Sequence, residues 1–190
     1  MTAIESNMLP LGTKAPAFKL KDALSNQYKT LDTLTVSKPR AVVIMFICNH
    51  CPFVKYIQTE LVQLAKDYQP KNIAFIAINS NDAQTYPDDS FENMTKVAHE
   101  KLYPFPYLYD QTQAVAKAYK AACTPDFYIF DSKLHCVYRG QFDSSRPGNE
   151  IPVTGNDIRE ALNCILTNQS VPANQKPSIG CNIKWKNKKA

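Results

Sequence analysis

The feature that most constrains this chain is a pair of short runs, residues 41–47 and 73–78, in which every residue is apolar. A strand with one wet face alternates polar and apolar side chains, so a run without alternation has to be covered on both faces. Between the two runs, Val54, Ile57, Leu61, Leu64, Ala65 and Tyr68 recur at helical spacing, and Pro52 suits a first helical turn. Strand, helix and strand in that order predict an α/β fold with a parallel core. Neither run approaches the length needed to cross a bilayer, so no membrane partner is expected.

The flanking segments add edges and layers to that core. Residues 17–20 and 27–31 read as an N-terminal β-hairpin turning around Ser25 and Asn26. Asp89 with Glu92 resembles a capping box opening a helix that runs to about Lys101. Residues 103–110 hold too many prolines for a helix, and Asp110 is placed to cap an alanine-rich helix after it. Strands at 126–130 and 135–140, turning at 131–133, and a helix at 157–168 complete a central mixed sheet flanked by helices. With 190 residues, 44% of them hydrophobic, residues 1–190 make one domain.

Residues 170–190 are rich in proline and lysine and read as an irregular C-terminal extension. Much of the net charge of +5 comes from Lys184, Lys186, Lys188 and Lys189 there. That is the pattern of a solvated tail; nucleic-acid binding needs a basic stripe on a folded face and is not expected. Residues 1–10 lack the basic and apolar regions of a signal peptide, so the expected location is cytoplasmic. Six cysteines in a reducing compartment then point to chemistry rather than to a disulfide framework.

Cys48 follows the first apolar run, and Cys51 stands directly before the helix. Open α/β sheets gather their reaction sites at the carboxyl ends of strands. A thiolate there also faces the free N–H groups and positive pole of a helix, which lowers a cysteine pKa. Cys51 falls on the inward side of the helical stripe, whereas Cys48 lies outside the helix, within reach of a substrate disulfide. Cys48 is therefore expected to be the attacking, more acidic thiol and Cys51 the resolving thiol. Asn49 and His50 separate them, and His50 is placed to donate a hydrogen bond or charge to Cys48.

No second C-x-x-C exists to complete a zinc site, so neither metal nor other cofactor is expected. A metal-binding module drawing on His50, Cys123 or His135 is the non-catalytic alternative. His99 reads as solvated, Cys136 and Cys164 as packing thiols, and Cys181 as a docked or free thiol in the tail, with a tail thiol that reaches the active site as the alternative. Residues 142–156, with Asp143, Arg146 and Glu150, form a long connection of the kind that borders a substrate groove.

Thr124-Pro125, between a helix and a strand downstream of the C-x-x-C, resembles the cis-proline element of the thioredoxin superfamily. That likeness implies a thioredoxin fold, a cis bond facing the cysteine pair, and backbone there that can pair with a bound substrate strand. Gly12-x-x-Ala15-Pro16-x-Phe18-x-Leu20 resembles the opening motif of the AhpC/TSA, or redoxin, branch. Cys123-Thr124-Pro125-Asp126-Phe127, Ser145-Arg146-Pro147-Gly148, Pro152-Val153-Thr154-Gly155 and residues 176–181 resemble a peroxiredoxin-like group within it. The likeness spans residues 9–185 and implies a thiol–disulfide oxidoreductase acting on a disulfide-containing protein or a small thiol. A thiol-dependent, antioxidant peroxidase is the alternative. By the same likeness Cys123 stands near the groove, either as a third thiol or as a packing residue.

The departures are specific. Peroxiredoxins use Pro-x-x-x-Thr-x-x-Cys; counted back from Cys51 those positions hold Ile44 and Cys48, and from Cys48 they hold Ala41 and Met45. The buried aspartate of thioredoxin is replaced by Val42, its tryptophan by Ile47, and its Gly-Pro by Asn49-His50. The histidine makes the dipeptide closer to those of disulfide isomerases.

Overall fold

The computed structural model describes residues 3–187. The chain opens with β1 (Ala3–Glu5), then the hairpin of β2 (Lys19–Asp22) and β3 (Tyr28–Thr30), which ends in the single-turn helix α1 (Leu31–Leu34). The two apolar runs are β4 (Ala41–Phe46) and β5 (Ile73–Asn79), with α2 (Pro52–Tyr68) between them. Next come α3 (Phe91–Glu100), β6 (Tyr107–Tyr109), α4 (Ala114–Ala118), β7 (Cys123–Thr124) and β8 (Asp126–Asp131). The order ends with β9 (Cys136–Gly140), α5 (Asn156–Leu166) and β10 (Ile179–Asn182).

Seven strands form the main sheet in the order β3-β2-β6-β5-β4-β8-β9. β4 pairs in parallel with β5 and antiparallel with β8, while the N-terminal hairpin reaches the other edge through β2 and β6. The mixed sheet and the hairpin agree with the sequence reading. The antiparallel β8 lies inside the sheet beside β4, leaving only β9 at that edge.

Alternation along β4 explains why its sequence has none. Val43 and Met45 point into one core with Leu61, Leu64, Met94 and Leu162 from the helices. Val42, Ile44 and Phe46 point into a second core with Tyr119, Tyr128 and Phe130. No β4 side chain is more than 1% exposed. Truncating a side chain buried this way, such as Leu61, costs about 2–5 kcal/mol.

Three local expectations are corrected. The C-terminal extension is not irregular throughout: β10 lies between β1 and β7 in a three-stranded antiparallel sheet, with Cys181 opposite Thr124 and opposite Ala3. Gly180 permits that approach, because a Cβ there would collide with the Thr124 carbonyl. Lys184 is buried rather than solvated, its Nζ donating to Asn182 Oδ1 at 2.7 Å. Lys188 and Lys189 lie outside the described residues. Finally, α3 is capped by Ser90, whose Oγ accepts from Asn93 N, and Asp89 is turned inward. Among the described residues no helix is long and apolar enough to cross a membrane.

Candidate active site at the β4–α2 junction

After β4, Ile47 N–H still bonds to Ile78 O at 3.0 Å, so the chain leaves the sheet at Cys48. Cys51 takes the N-cap position of α2 with extended backbone, and Pro52 begins the helix. The two sulfurs meet on one residue. Cys48 Sγ lies 3.3 Å from Thr124 Oγ1, and Cys51 Sγ donates to Thr124 O at 3.1 Å. The Thr124-Pro125 bond is cis, as the resemblance implied. Cys48, Cys51, Asn49, His50, Thr124 and Pro125 are thus brought together.

The pKa directions of the two sulfurs run opposite to the expected division, while the exposures barely differ. Both are buried, Cys48 at 2% exposure and Cys51 at 0%. Hydrogen bonding from Cys48 lowers the Cys51 pKa to about 5 against the cost of burial; Cys181 and the Val54 N–H assist. Cys48, as the donor of that bond and itself buried near Asp89, is held well above the ordinary thiol range. Cys51 is therefore the thiol that loses its proton first, giving up its bond to the Thr124 carbonyl when it does. The largest cause is the hydrogen bond from Cys48; Cys181 and the Val54 N–H at the start of α2 add to it.

His50 is also placed differently from expectation. Its Nδ1 bonds to Asp89 Oδ2 at 2.6 Å, and its ring stacks on Tyr86 at 5.4 Å. The Asp89 bond raises the His50 pKa despite partial burial, and the thiolate that reinforces this is Cys51. Against a carboxylate, Nδ1 carries the proton. Nε2 is buried without a partner.

Asp89 organises this side of the site. Its Oδ1 accepts from Asn49 N at 2.7 Å and Asn79 Nδ2 at 3.2 Å; its Oδ2 accepts from His50 and from Asn81 Nδ2 at 2.7 Å. Burial pushes its pKa up, but the bonds from His50, Asn81 and Asn49 outweigh that and hold it below the ordinary range. Asn49 is pinned further, donating to Asp88 O and accepting from Tyr107 OH. Asp89, Asn79 and Asn81 were missed in the sequence. The available signal was the polar run Asn79-Ser80-Asn81-Asp82 at the carboxyl end of an apolar strand, where α/β sites gather.

Donor atoms of Cys48, His50 and Asp89 lie within 4.8 Å of one another, a grouping that could hold a metal. Both Asp89 oxygens already accept two bonds each and Cys48 Sγ contacts Thr124 Oγ1, so His50 Nε2 is the atom of this group without a partner. His135 is not in this group; it lies beside Asp131, at the opposite end of β8. Cys123 is buried, with its Sγ directed to Pro125 O, and pairs with Asn182. Side chains alternate along a strand, so Cys123 projects away from the face on which Thr124 meets the sulfurs. Of the two expectations for Cys123, this placement favours the packing thiol. Residues 142–156 are gathered by Asp143, which accepts from Ser145, Thr154 and Gly155 N–H groups. Arg146 from this loop lines a crevice with Pro125, Phe53 and Tyr56. An open groove of about 620 Å³ borders Asn49, with Lys55 and Lys96 in its walls.

Comparison with known proteins agrees with this geometry. The chain is 63% identical to an uncharacterized conserved protein from Geobacillus kaustophilus, with TM-score 0.96 and coverage of 99% of this chain and 98% of that one. At 18% identity it matches the thioredoxin domain of a thiol-disulfide oxidoreductase from Bacteroides vulgatus, with TM-score 0.60, covering 80% and 96% of the two chains. At 17% identity it matches a peroxidoxin from Mycobacterium tuberculosis, with TM-score 0.63, covering 85% and 99%. These two likenesses establish the thioredoxin fold. No curated protein sequence matches. The AhpC/TSA family model matches residues 11–139, and the chain belongs to that family.

Proposed function

We propose that the protein is a thiol–disulfide oxidoreductase that cycles between a Cys48/Cys51 dithiol and a Cys48–Cys51 disulfide. The observation that carries this reading is the meeting of both sulfurs on Thr124 at a helix N-terminus, and the lowered Cys51 pKa supports it. The Cys51 thiolate attacks one sulfur of a substrate disulfide; that bond breaks and its electron pair leaves on the other substrate sulfur. Cys48 gives up its proton and attacks Cys51 of the mixed disulfide, releasing the second substrate thiol. Two electrons pass to the substrate and the protein is left oxidised. His50, whose pKa the Asp89 bond raises, favours the Cys51 charge when it is protonated. The substrates are disulfides of proteins or small thiols, in a cytoplasmic setting.

A second reading, a thiol peroxidase, is favoured by the location of the thiolate, because peroxiredoxins align their reactive cysteine with Cys51. There Cys51 would take an oxygen from a peroxide to become a sulfenic acid, and Cys48 would condense with it and release water. Against it, Cys48 occupies the threonine position of the peroxide site. Arg139 and Arg146 are engaged by Gln175 and Gln141.

One experiment separates the readings. The reduced protein is mixed with insulin and dithiothreitol, or with hydrogen peroxide, and its thiols are trapped and mapped by mass spectrometry. Disulfide reduction lost in both Cys48→Ser and Cys51→Ser is the expected result. Peroxide consumption without disulfide reduction would replace this reading with the second.

A further inference from the structure

We infer that Cys181 is a third redox thiol of this site, a second resolving cysteine that forms a disulfide with Cys51. The inference rests on the redox reading of Cys51 and adds a partner from the C-terminal strand.

Three observations place the Cys181 sulfur. Cys181 lies directly opposite Thr124 in the antiparallel pairing of β10 with β7. Directly opposed residues of such a pair project to the same face. On that face Thr124 Oγ1 touches Cys48, and the Thr124 carbonyl accepts from Cys51. The Cys181 thiol and backbone N–H are near enough to Cys51 to help lower its pKa, and Cys51 in turn raises that of Cys181. Cys181 is 2% exposed, so its sulfur is enclosed with Cys51 rather than facing solvent.

The surrounding chain is built for this approach. Gly180 lets β10 lie against the Thr124 carbonyl, where a larger residue would collide. On the other side of the same segment, Lys184 N–H bonds to Asn81 Oδ1, and Asn81 in turn bonds to Asp89. The strand bearing Cys181 is thus tied to the carboxylate that holds His50. Cys123, Cys136 and Cys164 have no such placement: the first faces away, the second donates to Tyr138 O in the other core, and the third lies on α5.

Cys51 is therefore the middle sulfur of three. Starting from the Cys48–Cys51 disulfide, Cys181 loses its proton and attacks Cys51 Sγ. The Cys51–Cys181 bond forms as the Cys48–Cys51 bond breaks, and the electron pair leaves on Cys48, which takes up a proton. No electrons enter or leave the protein in this step. Its consequence is that the oxidised state can be stored under β10 with Cys48 returned to the thiol form. Burial and the Cys51 contact push the Cys181 thiol up to about 12, so the reduced protein keeps Cys181 protonated as a donor to the Cys51 thiolate.

The test uses the full chain, with oxidised glutathione as probe, acid quenching, alkylation and peptide mapping. In Cys48→Ser, the expected main product is a Cys51–Cys181 linked peptide. In Cys48→Ser/Cys181→Ser, the glutathione adduct on Cys51 should persist roughly tenfold longer or more, because no resolving thiol remains. A stable Cys51–glutathione adduct in Cys48→Ser, with Cys181 free to alkylate, overturns the inference. Wild-type protein under limiting oxidant gives an independent reading that needs no folded variant: the Cys51–Cys181 peptide is expected beside the Cys48–Cys51 peptide, and its absence at every quench time also overturns the inference. Failure of the wild type to form Cys48–Cys51, with Cys51–Cys181 present, would sink the proposed cycle while upholding Cys181.

Discussion

Asp89 and Asp126 are both buried, at 0% and 1% exposure, and their charges behave in opposite ways. Asp89 sits in the connection after β5 and receives four N–H donors, one of them from His50. Its pKa is held low although burial acts in the other direction. Asp126 opens β8, opposite Phe46, and receives Tyr128 OH at 2.8 Å on one oxygen, while the other oxygen has no partner. Burial raises its pKa to about 7. The lesson is that donor supply, and not depth, decides whether a buried carboxyl is charged. The same rule separates the sulfurs: Cys51 receives donors and is the thiolate, while Cys123, equally buried, is pushed far up.

The largest expected effect comes from removing the well-supplied carboxylate. Asp89→Ala removes the acceptor of His50, Asn49 N and Asn81 Nδ2 and one of the two acceptors of Asn79 Nδ2, and should cost about 3–5 kcal/mol at pH 6 in urea unfolding. The pH profile has a definite shape. Asp89 has a lowered folded pKa, so its contribution is present above the unfolded value near 4 and is lost as pH falls through the folded value. His50 has a raised folded pKa, so its share is full below about 6.5 and is lost as pH rises through the folded value. The difference between wild type and variant should therefore be greatest between about pH 4 and 6.5. A loss below about 1 kcal/mol there would mean that Asp89 is neutral and the contrast with Asp126 false.

Asp126→Asn tests the other side. The folded acid binds its proton more tightly than the unfolded chain does, so wild-type stability should fall as pH rises between about 4 and 7. Replacing the acid with an amide removes that slope, a relative gain of roughly 2 kcal/mol from pH 5 to pH 7. Parallel pH profiles for the two proteins would show that Asp126 is ionised throughout and supplied with donors after all.

The smallest effect is expected for Tyr128→Phe, which removes the hydroxyl donor to Asp126. At pH 5, where Asp126 is neutral, the loss should be about 1 kcal/mol, and it should grow at pH 8 as the carboxylate loses its donor. Equal losses at both pH values would separate the hydroxyl from the charge of Asp126 and sharpen the comparison to burial alone.

The β4–α2 unit was legible because its signals are local. Two fully apolar runs, Pro52 at the first helical position and one apolar stripe predict the bounds of α2 as observed. The cysteine pair could be placed at a strand end on the same grounds. The order of the two thiol pKa values could not, because Asp89 acts on Cys48 and Cys181 on Cys51, and both are brought in from distant parts of the chain. Asp89 was hidden for a different reason. It stands beside Ser90, and either residue makes an acceptable helix cap; only Asn49, His50 and Asn81 around it show that its carboxylate is used elsewhere. Strand β10 escaped detection because Ile179-Gly180-Cys181-Asn182 lacks alternation and lies in a proline- and lysine-rich stretch.

The sequence alone determined that two strands would be buried on both faces, that a helix would join them, and that two thiols would stand at its start. Periodicity and capping act over a few residues and survive in a linear reading. Tertiary structure alone decided which sulfur and which carboxyl have lowered pKa values, and which cysteine of β10 lies opposite Thr124. Those outcomes depend on how many donors reach a buried atom, and the donors come from segments that meet only when β5, β7 and β10 close over the β4–α2 junction.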